Sequence, residues 1–81
     1  METTVALISI IVEKKESVTL LNNILHKYSD YIIGRMGIPY KTKNIQIISI
    51  AIDAPGDIIN SLTGSIGQLE GIQAKAIFSK V

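Results

Sequence analysis

Hydrophobic residues recur at every second position along four stretches of the chain, which is the period of a β-strand. The densest stretch is Ile45–Asp53, where isoleucines occupy both phases of the alternation. Thr3–Glu13 shows the same two-sided pattern. A strand that is apolar on both faces is covered on both sides, so these two stretches are predicted to be the central strands of a sheet.

Tyr31–Ile38 and Ile72–Lys80 are predicted as the other two strands. The first lies before Pro39, which has no N–H to donate to a ladder, so this strand ends there or runs along an edge of the sheet. The polar segment from Pro39 to Asn44 is predicted to turn the chain into the next strand. One phase of the last strand is mostly polar, which predicts an edge position.

Two segments between the strands carry apolar residues at helical spacing. Glu16–Tyr28 is the first predicted helix, with Ser17 as its N-cap. The second begins after Asp53–Asp57, where proline and aspartate suit a helix start, and Gly71 is predicted to stop it in a left-handed conformation. The two apolar stripes comprise Val18, Leu20, Leu21, Ile24, Leu25 and Tyr28 in the first helix, and Ile58, Ile59, Leu62, Ile66 and Leu69 in the second.

Gly64 and Gly67 lie inside the second predicted helix, where glycine is unfavourable by about 1 kcal/mol relative to alanine. Close packing against the sheet is the favoured explanation, and a functional hinge is the alternative.

The predicted order is therefore β-α-β-β-α-β, and a shift of about forty residues aligns one half of the chain with the other. Val5–Ile10 then lies over Ile45–Ile50. Two βαβ halves with right-handed crossovers give one antiparallel sheet in the order 4-1-3-2, with both helices on one face. This is the ferredoxin-like fold of the α+β class, predicted as a single domain over residues 1–81.

Two helices cover only one face of such a sheet, and even-numbered strand residues are predicted to face them. The odd-numbered face then carries an apolar patch of roughly several hundred Å², which is large for a monomer. We therefore expect a second copy of the chain to cover it, in a homodimer or homotetramer. The candidate interface residues are Val5, Leu7, Ile11, Ile33, Ile45, Ile47 and Ile77, with Arg35, Ser49 and Lys75 among them. Edge pairing through an outer strand is a second candidate contact.

Composition supports self-association and narrows the function classes. The chain has 81 residues, of which 47% are hydrophobic. A domain of this size buries only about 60% of its unfolded surface. The absence of cysteine excludes disulfides and thiolate metal sites, and a net charge of +1 argues against direct nucleic-acid binding. No apolar run approaches the ~20 residues of a membrane span and the N-terminus has no basic signal-peptide region, so a cytoplasmic protein is expected.

Gly34-Arg35-Met36-Gly37 is the strongest candidate ligand-binding group in the sequence. Glycines in a strand allow a ligand or another backbone to approach closely, and the guanidinium of Arg35 can hold a carboxylate or a phosphate. The alternative is that the glycines accommodate a subunit contact, and that Arg35 pairs with an acid of the neighbouring subunit.

Asp53 and Gly56 are a second candidate pair, because backbone amides at a helix start can cradle a small ligand. The same segment also makes an ordinary helix start. His26 is the only histidine and cannot build a closed transition-metal site alone, so no metal site is predicted unless subunits share one. The acidic residues are spread over loops and termini, so neither an enzyme nor a bound cofactor is expected.

Three strings carry a resemblance to a known family: GRMGIPY at residues 34–40, INSLTG at residues 59–64 and GIQAKA at residues 71–76. The chain resembles, over nearly its whole length, the small proteins called putative iron-only hydrogenase system regulators. The resemblance implies an ACT-like fold, similar to the ligand-binding domain of the nickel-responsive repressor. It also implies a regulatory, ligand-sensing or assembly role in the cytoplasm of an anaerobic-type bacterium.

The sequence departs from those relatives at three points. The His/Cys ligand set of the nickel repressor is absent, so nickel sensing is not expected. Its DNA-binding arm is also absent, so this chain would act on DNA only through a partner. The Asp/Asn–Pro–Gly loop that ACT domains carry after the first strand is Glu13–Ser17 here, and a similar loop, Asp53–Gly56, follows the third strand instead.

The sequence therefore predicts a non-enzymatic regulatory module that binds a small anionic metabolite, such as an amino acid, between the subunits of a homo-oligomer. Arg35 would hold the carboxylate, and amides near Gly34 and Gly37, or at the start of the second helix, would hold the rest. The alternative is an interaction or structural module whose bare sheet binds another protein. A third hypothesis is an enzyme with a subunit-interface site that uses His26 or Tyr40.

Overall fold

The computed structural model describes residues 2–80, and within them it contains four β-strands and two α-helices. Short 3-10 turns at residues 15–17, 29–31 and 41–43 join them. In chain order the elements are β1 (Thr4–Val12), α1 (Val18–Lys27), β2 (Ile32–Tyr40), β3 (Ile45–Ala54), α2 (Gly56–Gly67) and β4 (Ile72–Phe78).

The four strands form one antiparallel sheet in the order β2-β3-β1-β4. This is the predicted order 4-1-3-2 counted from the other edge, so the ferredoxin-like fold is confirmed. The central pair β1 and β3 is aligned from Thr4 opposite Ala54 to Val12 opposite Gln46. As predicted, the two strands that are apolar on both faces lie at the centre of the sheet.

The core lies between one face of the sheet and the two helices. Even-numbered residues of β1 and β3 point into it, because side chains alternate between the two faces along a strand. The buried apolar residues are Ala6, Ile8, Ile10, Val12, Leu21, Leu25, Ile48, Ile50, Ile52, Ala54, Ile59, Leu62, Ile66 and Ile72. We call the opposite, uncovered side of the sheet the open face.

A β-bulge in β2 changes which of its side chains reach the open face. Ile32 pairs with Ile52, but Gly34 pairs with Ala51, so Ile33 is an extra residue in the ladder. An extra residue reverses the alternation for the rest of the strand. The prediction that even-numbered residues of β2 face the helices is therefore wrong beyond Ile33.

The reversal moves Arg35 off the open face. It pairs with Ile50, which is fully buried beneath the helices, so Arg35 lies on the helix side of the sheet edge. Met36 pairs with Ser49 and Ile38 pairs with Ile47, so both lie on the open face instead. The expectation that Arg35 sits among the apolar residues of the bare face is corrected accordingly.

The edges of several elements also differ from the predicted ones. Helix α1 begins at Val18, because residues 15–17 form a 3-10 turn. The side chain of Leu20, which was expected in the buried stripe, is 54% exposed. Strand β2 continues through Pro39 to Tyr40 along an edge of the sheet, which is one of the two outcomes that Pro39 predicted.

The glycines of α2 do not serve close packing. A methyl group built on Gly64 or Gly67 would meet no other atom within 4 Å, so the expected tight approach to the sheet is absent. Helix α2 ends at Gly67, three residues before Glu70, where the predicted helix ended. Gly71 does adopt the predicted left-handed conformation, with a φ of 72°, just before β4.

The loop after β1 is fastened to the loop before β4. The amide of Glu13 donates to the carbonyl of Gly71 at 2.7 Å. The Ser17 hydroxyl, predicted to cap α1, instead donates to the backbone carbonyl of Glu70 at 2.6 Å. Within residues 2–80 the one salt bridge joins Lys14 to Glu70.

Candidate functional site

The open face is the side of the sheet that neither helix covers. Eight large hydrophobic side chains that the strand register places on it are exposed: Val5, Leu7, Ile11, Met36, Ile38, Tyr40, Ile47 and Ile77. Exposed hydrophobic side chains scattered singly are ordinary, but a contiguous apolar patch marks an interaction surface.

Strand register arranges most of these side chains in two apolar rows. Two rows of apolar side chains cross the sheet on either side of a central pair of serines, Ser9 and Ser49, which lie opposite each other. One row contains Ile38, Ile47 and Ile11, and the other contains Ala51, Leu7 and Ile77. Directly opposite side chains in a sheet lie within contact distance, so each row forms an unbroken apolar band.

The predicted interface residues can now be placed. Val5, Leu7, Ile11, Ile47 and Ile77 are exposed on the open face, and Ile45 there is half-buried. Ile33 is the bulged residue and is 63% exposed. Their role as an interface stays a prediction.

Sequence reasoning missed three open-face residues: Met36, Ile38 and Tyr40. The available signal was Gly34, because an isolated glycine inside a strand pattern often marks a bulge. A bulge at this point reverses the alternation of side chains and brings these three residues to the open face.

Arg35 lies at the opposite side of the sheet, beside helix α1. Its guanidinium donates to the side-chain oxygen of Asn22 at 3.2 Å. A shallow depression of about 280 Å³ adjoins it, lined by Asn22, Leu25, His26, Ser29, Ile32 and Arg35. The chemistry gathered here is a guanidinium, an imidazole, an amide and a hydroxyl over an apolar floor, which suits a small polar ligand.

The predicted ligand-binding residues do not form one site. Arg35 and Gly37 lie on the helix side, whereas Gly34 and Met36 lie on the open face. Asp53 is also on the open face, opposite Val5, and is exposed.

Space is available at the glycines of this group. A methyl group built on Gly34 would meet nothing within 4 Å, and one on Gly37 would meet only the Ile48 side chain, at 4.0 Å. Gly56 is the first residue of α2, and a methyl group there would also meet nothing. These positions are open to an approaching group, but the fold itself does not require glycine at them.

The described part of the chain contains neither a metal-binding cluster nor a membrane-spanning helix. Across residues 2–80, no three side chains among His, Cys, Asp and Glu are grouped closely enough to hold a metal ion. Neither of the α-helices in that range is long and apolar enough to cross a membrane.

Comparison with known proteins identifies a family and similar solved structures. The sequence profile of the TM1266-like family, described as "Iron-only hydrogenase system regulator, putative", matches residues 4–76. The solved structure of the uncharacterized protein TM1266 from Thermotoga maritima superposes with a TM-score of 0.93 and 29% sequence identity. That match covers 98% of this chain and 100% of the other. No curated protein matches this chain significantly.

Proposed function

The chain belongs to the TM1266-like family of putative iron-only hydrogenase system regulators, and on that premise we propose that it is a regulatory protein that works as an assembly of at least two copies. The observation that carries the proposal is the open face, with its eight exposed large hydrophobic side chains. A second copy covers this face, and regulation is exerted through the assembled form rather than through catalysis.

The dimensions of the open face suit this role. Four strands of seven to ten residues, spaced about 4.8 Å apart, give a face of roughly 550 Å² in projection. Each partner of a standard protein interface buries about 800 Å² of accessible surface, which exceeds its projected area. The open face is therefore large enough to hold a stable dimer together.

Its chemistry also favours a second copy as the occupant. Covering apolar surface contributes about 25 cal/mol per Å², against which association costs several kcal/mol. The row between the two apolar rows has the small Ser9 and Ser49 at its centre and the exposed Met36 and Lys75 at its ends. A two-fold axis lets one surface complement itself without any further partner.

Crosslinking tests this arrangement directly, because the chain has no cysteine of its own. Ser9→Cys places one thiol at the centre of the open face, and Ser61→Cys places one on the exposed surface of α2. With a short bis-maleimide reagent at micromolar protein, Ser9→Cys is expected to give a covalent dimer, while Ser61→Cys stays monomeric. Equal yields from both variants, or no dimer from either, would contradict the proposal.

The rival occupant is a different protein, as in an interaction module. It would leave purified protein uncrosslinked at Ser9→Cys, yet the same thiol would crosslink to another chain in extract. The face-to-face pairing of two copies predicts the opposite result, namely a dimer from the purified protein alone.

A second candidate function, ligand sensing, is favoured by the surroundings of Arg35. This guanidinium forms no salt bridge with an acidic residue among residues 2–80, and it donates a hydrogen bond to the neutral Asn22. An arginine that is unpaired at a depression can hold a carboxylate in a bidentate contact. We propose that a small carboxylate, such as an amino acid, binds between Arg35 and α1.

Thermal-shift measurements with amino acids, nucleotides and divalent metals test this second candidate. A carboxylate ligand is expected to raise the melting temperature of the wild type and to leave Arg35→Ala unchanged. Lys43→Ala is the control, because it removes one positive charge at a turn away from Arg35. Equal shifts in wild type and Arg35→Ala would exclude this site.

A further inference from the structure

A second depression lies at the end of the sheet where the β2–β3 turn meets the loop after β1. Its volume is about 320 Å³, at the lower end of the range of small-molecule sites. It is lined by Val12, Lys15, Pro39, Tyr40, Lys41, Asn44, Ile45 and Gln46. We call it the hairpin cavity.

The hairpin cavity is separate from the depression at Arg35. Its floor follows one row of the sheet, in which Pro39 pairs with Gln46 and Gln46 pairs with Val12. Arg35 pairs with Ile50, four residues further along β3, or about 13 Å at the usual rise of a strand. The two depressions therefore lie at different positions along the same sheet.

The charged lining of the hairpin cavity is entirely positive. Lys15 comes from the loop after β1 and Lys41 from the β2–β3 turn, and the lining includes no acidic residue. Within residues 2–80 the one salt bridge uses Lys14, so neither cavity lysine lies within salt-bridge distance of an acid. Two unpaired ammonium groups on separate segments favour an anionic occupant between them.

The remaining lining supplies hydrogen bonds and apolar contact. Gln46 is half-buried in the floor, and its amide can donate to a ligand oxygen or accept from a ligand hydroxyl. Asn44 offers a second amide from the left-handed end of the turn, where its φ is 54°. Val12 and Pro39 provide an apolar surface for a short carbon skeleton.

From these features we infer that the hairpin cavity binds a small organic dianion, with one anionic group at Lys15 and another at Lys41. The groups are carboxylates or phosphates, because an ammonium binds either as a point charge. A short carbon chain between the two charges lies over Val12 and Pro39. The contact is between exposed charges, so added salt weakens it.

A residue-resolved NMR titration at low salt tests the inference, with succinate as the dicarboxylate probe and phosphoglycolate, which carries one phosphate and one carboxylate, as the phosphate probe. Saturable amide shifts are expected at Lys15 and within residues 39–46 for at least one probe. The more effective probe identifies which anionic group the cavity takes. An absence of saturable shifts with both probes, or shifts confined to Asn22 and Arg35, would overturn the assignment.

Lysine variants separate a built site from general attraction to a basic surface. Lys15→Met and Lys41→Met are each expected to weaken binding about tenfold, the usual effect of losing one charge-assisted contact. Lys43→Met is the matched control, because it removes the same charge from the same turn without lining the cavity. If it weakened binding as much as Lys41→Met, the specific site would be refuted.

The titration must also be independent of self-association, since Tyr40 and Ile45 belong both to the hairpin cavity and to the open face. Repeating the titration with Leu7→Lys, which places a charge in the middle of the open face, separates ligand binding from self-association. Equal shifts in wild type and variant are expected, because every lining residue comes from one chain. Binding by the wild type alone would place the ligand between copies and would contradict the intrachain site.

Discussion

Gly71 shows how one residue fixes the junction between α2 and β4. Its φ of 72° lies in the left-handed region, which costs a residue with a side chain about 1 kcal/mol or more. An added methyl group would also stand 2.6 Å from the Cγ of Lys14 and 3.1 Å from its backbone nitrogen. Both the conformation and the lack of space therefore require glycine here.

Replacing Gly71 with alanine is expected to lower the free energy of unfolding by about 1–3 kcal/mol. Gly64→Ala is the matched control, since it lies in helix α2 with open space around it. Alanine there should raise the free energy of unfolding by about 0.5–1 kcal/mol. Urea denaturation of the two variants measures both effects, and equal losses would contradict the role of Gly71.

The Lys14–Glu70 contact predicts a pH dependence whose direction follows from two pKa shifts. The hydrogen bond from Lys14, together with its charge, lowers the pKa of the Glu70 carboxyl, and the same contact raises the pKa of Lys14. Stabilisation from Glu70 is present above its unfolded pKa and is lost as pH falls through the lowered folded value. Stabilisation from Lys14 is present below the unfolded pKa of lysine and is lost as pH rises through the raised value.

An NMR titration of the Glu70 carboxyl tests this pair. Its pKa is expected to lie below the ordinary value of glutamate in the wild type and to return to that value in Lys14→Met. Both side chains are exposed, so added salt should shrink the shift. An unchanged Glu70 pKa in Lys14→Met would show that the ion pair does not form in solution.

At the scale of elements, β2 separates what the sequence could predict from what it could not. The alternation in β1 and β3 is uninterrupted, so their faces were predicted correctly. In β2 both the even-numbered and the odd-numbered positions contain apolar residues. The extra residue Ile33 exchanges the faces to which these two sets point, and the sequence pattern does not reveal the exchange. The predicted fold is still correct, because β2 lies at an edge of the sheet. The predicted site is not, because Arg35 lies on the helix side of the sheet rather than on the open face.

Because of the bulge, we expect substitutions of Ile38 and Ile48 to have different effects on stability. Ile38 is half exposed on the open face, whereas Ile48, on the adjacent strand, is buried under the helices. Ile38→Ala is expected to change the free energy of unfolding by less than about 1 kcal/mol, and Ile48→Ala to lower it by about 2–5 kcal/mol.

Urea denaturation in a Leu7→Lys background measures these two costs without a contribution from self-association. The background variant alone is the reference. A cost at Ile38 as large as that at Ile48 would place Ile38 beneath the helices and would exclude the bulge.

At the scale of the whole molecule, the open face of the sheet remains uncovered by the rest of the fold. Both helices pack on one side of the sheet, and within residues 2–80 no further helix or strand covers the other side. The sequence already predicted this excess of apolar residues from its composition and its alternation. It could not predict which residues of β2 would join the surface, because register depends on tertiary pairing rather than on local pattern.

The mass of the wild-type protein in solution tests the central claim most directly, and sedimentation equilibrium at micromolar concentration measures it. We expect at least twice the 8.8 kDa of one chain. Leu7→Lys should reduce it to that of a single chain, and Leu20→Lys, at an exposed leucine on α1, should leave it unchanged. A wild-type mass of 8.8 kDa throughout this range would contradict the account.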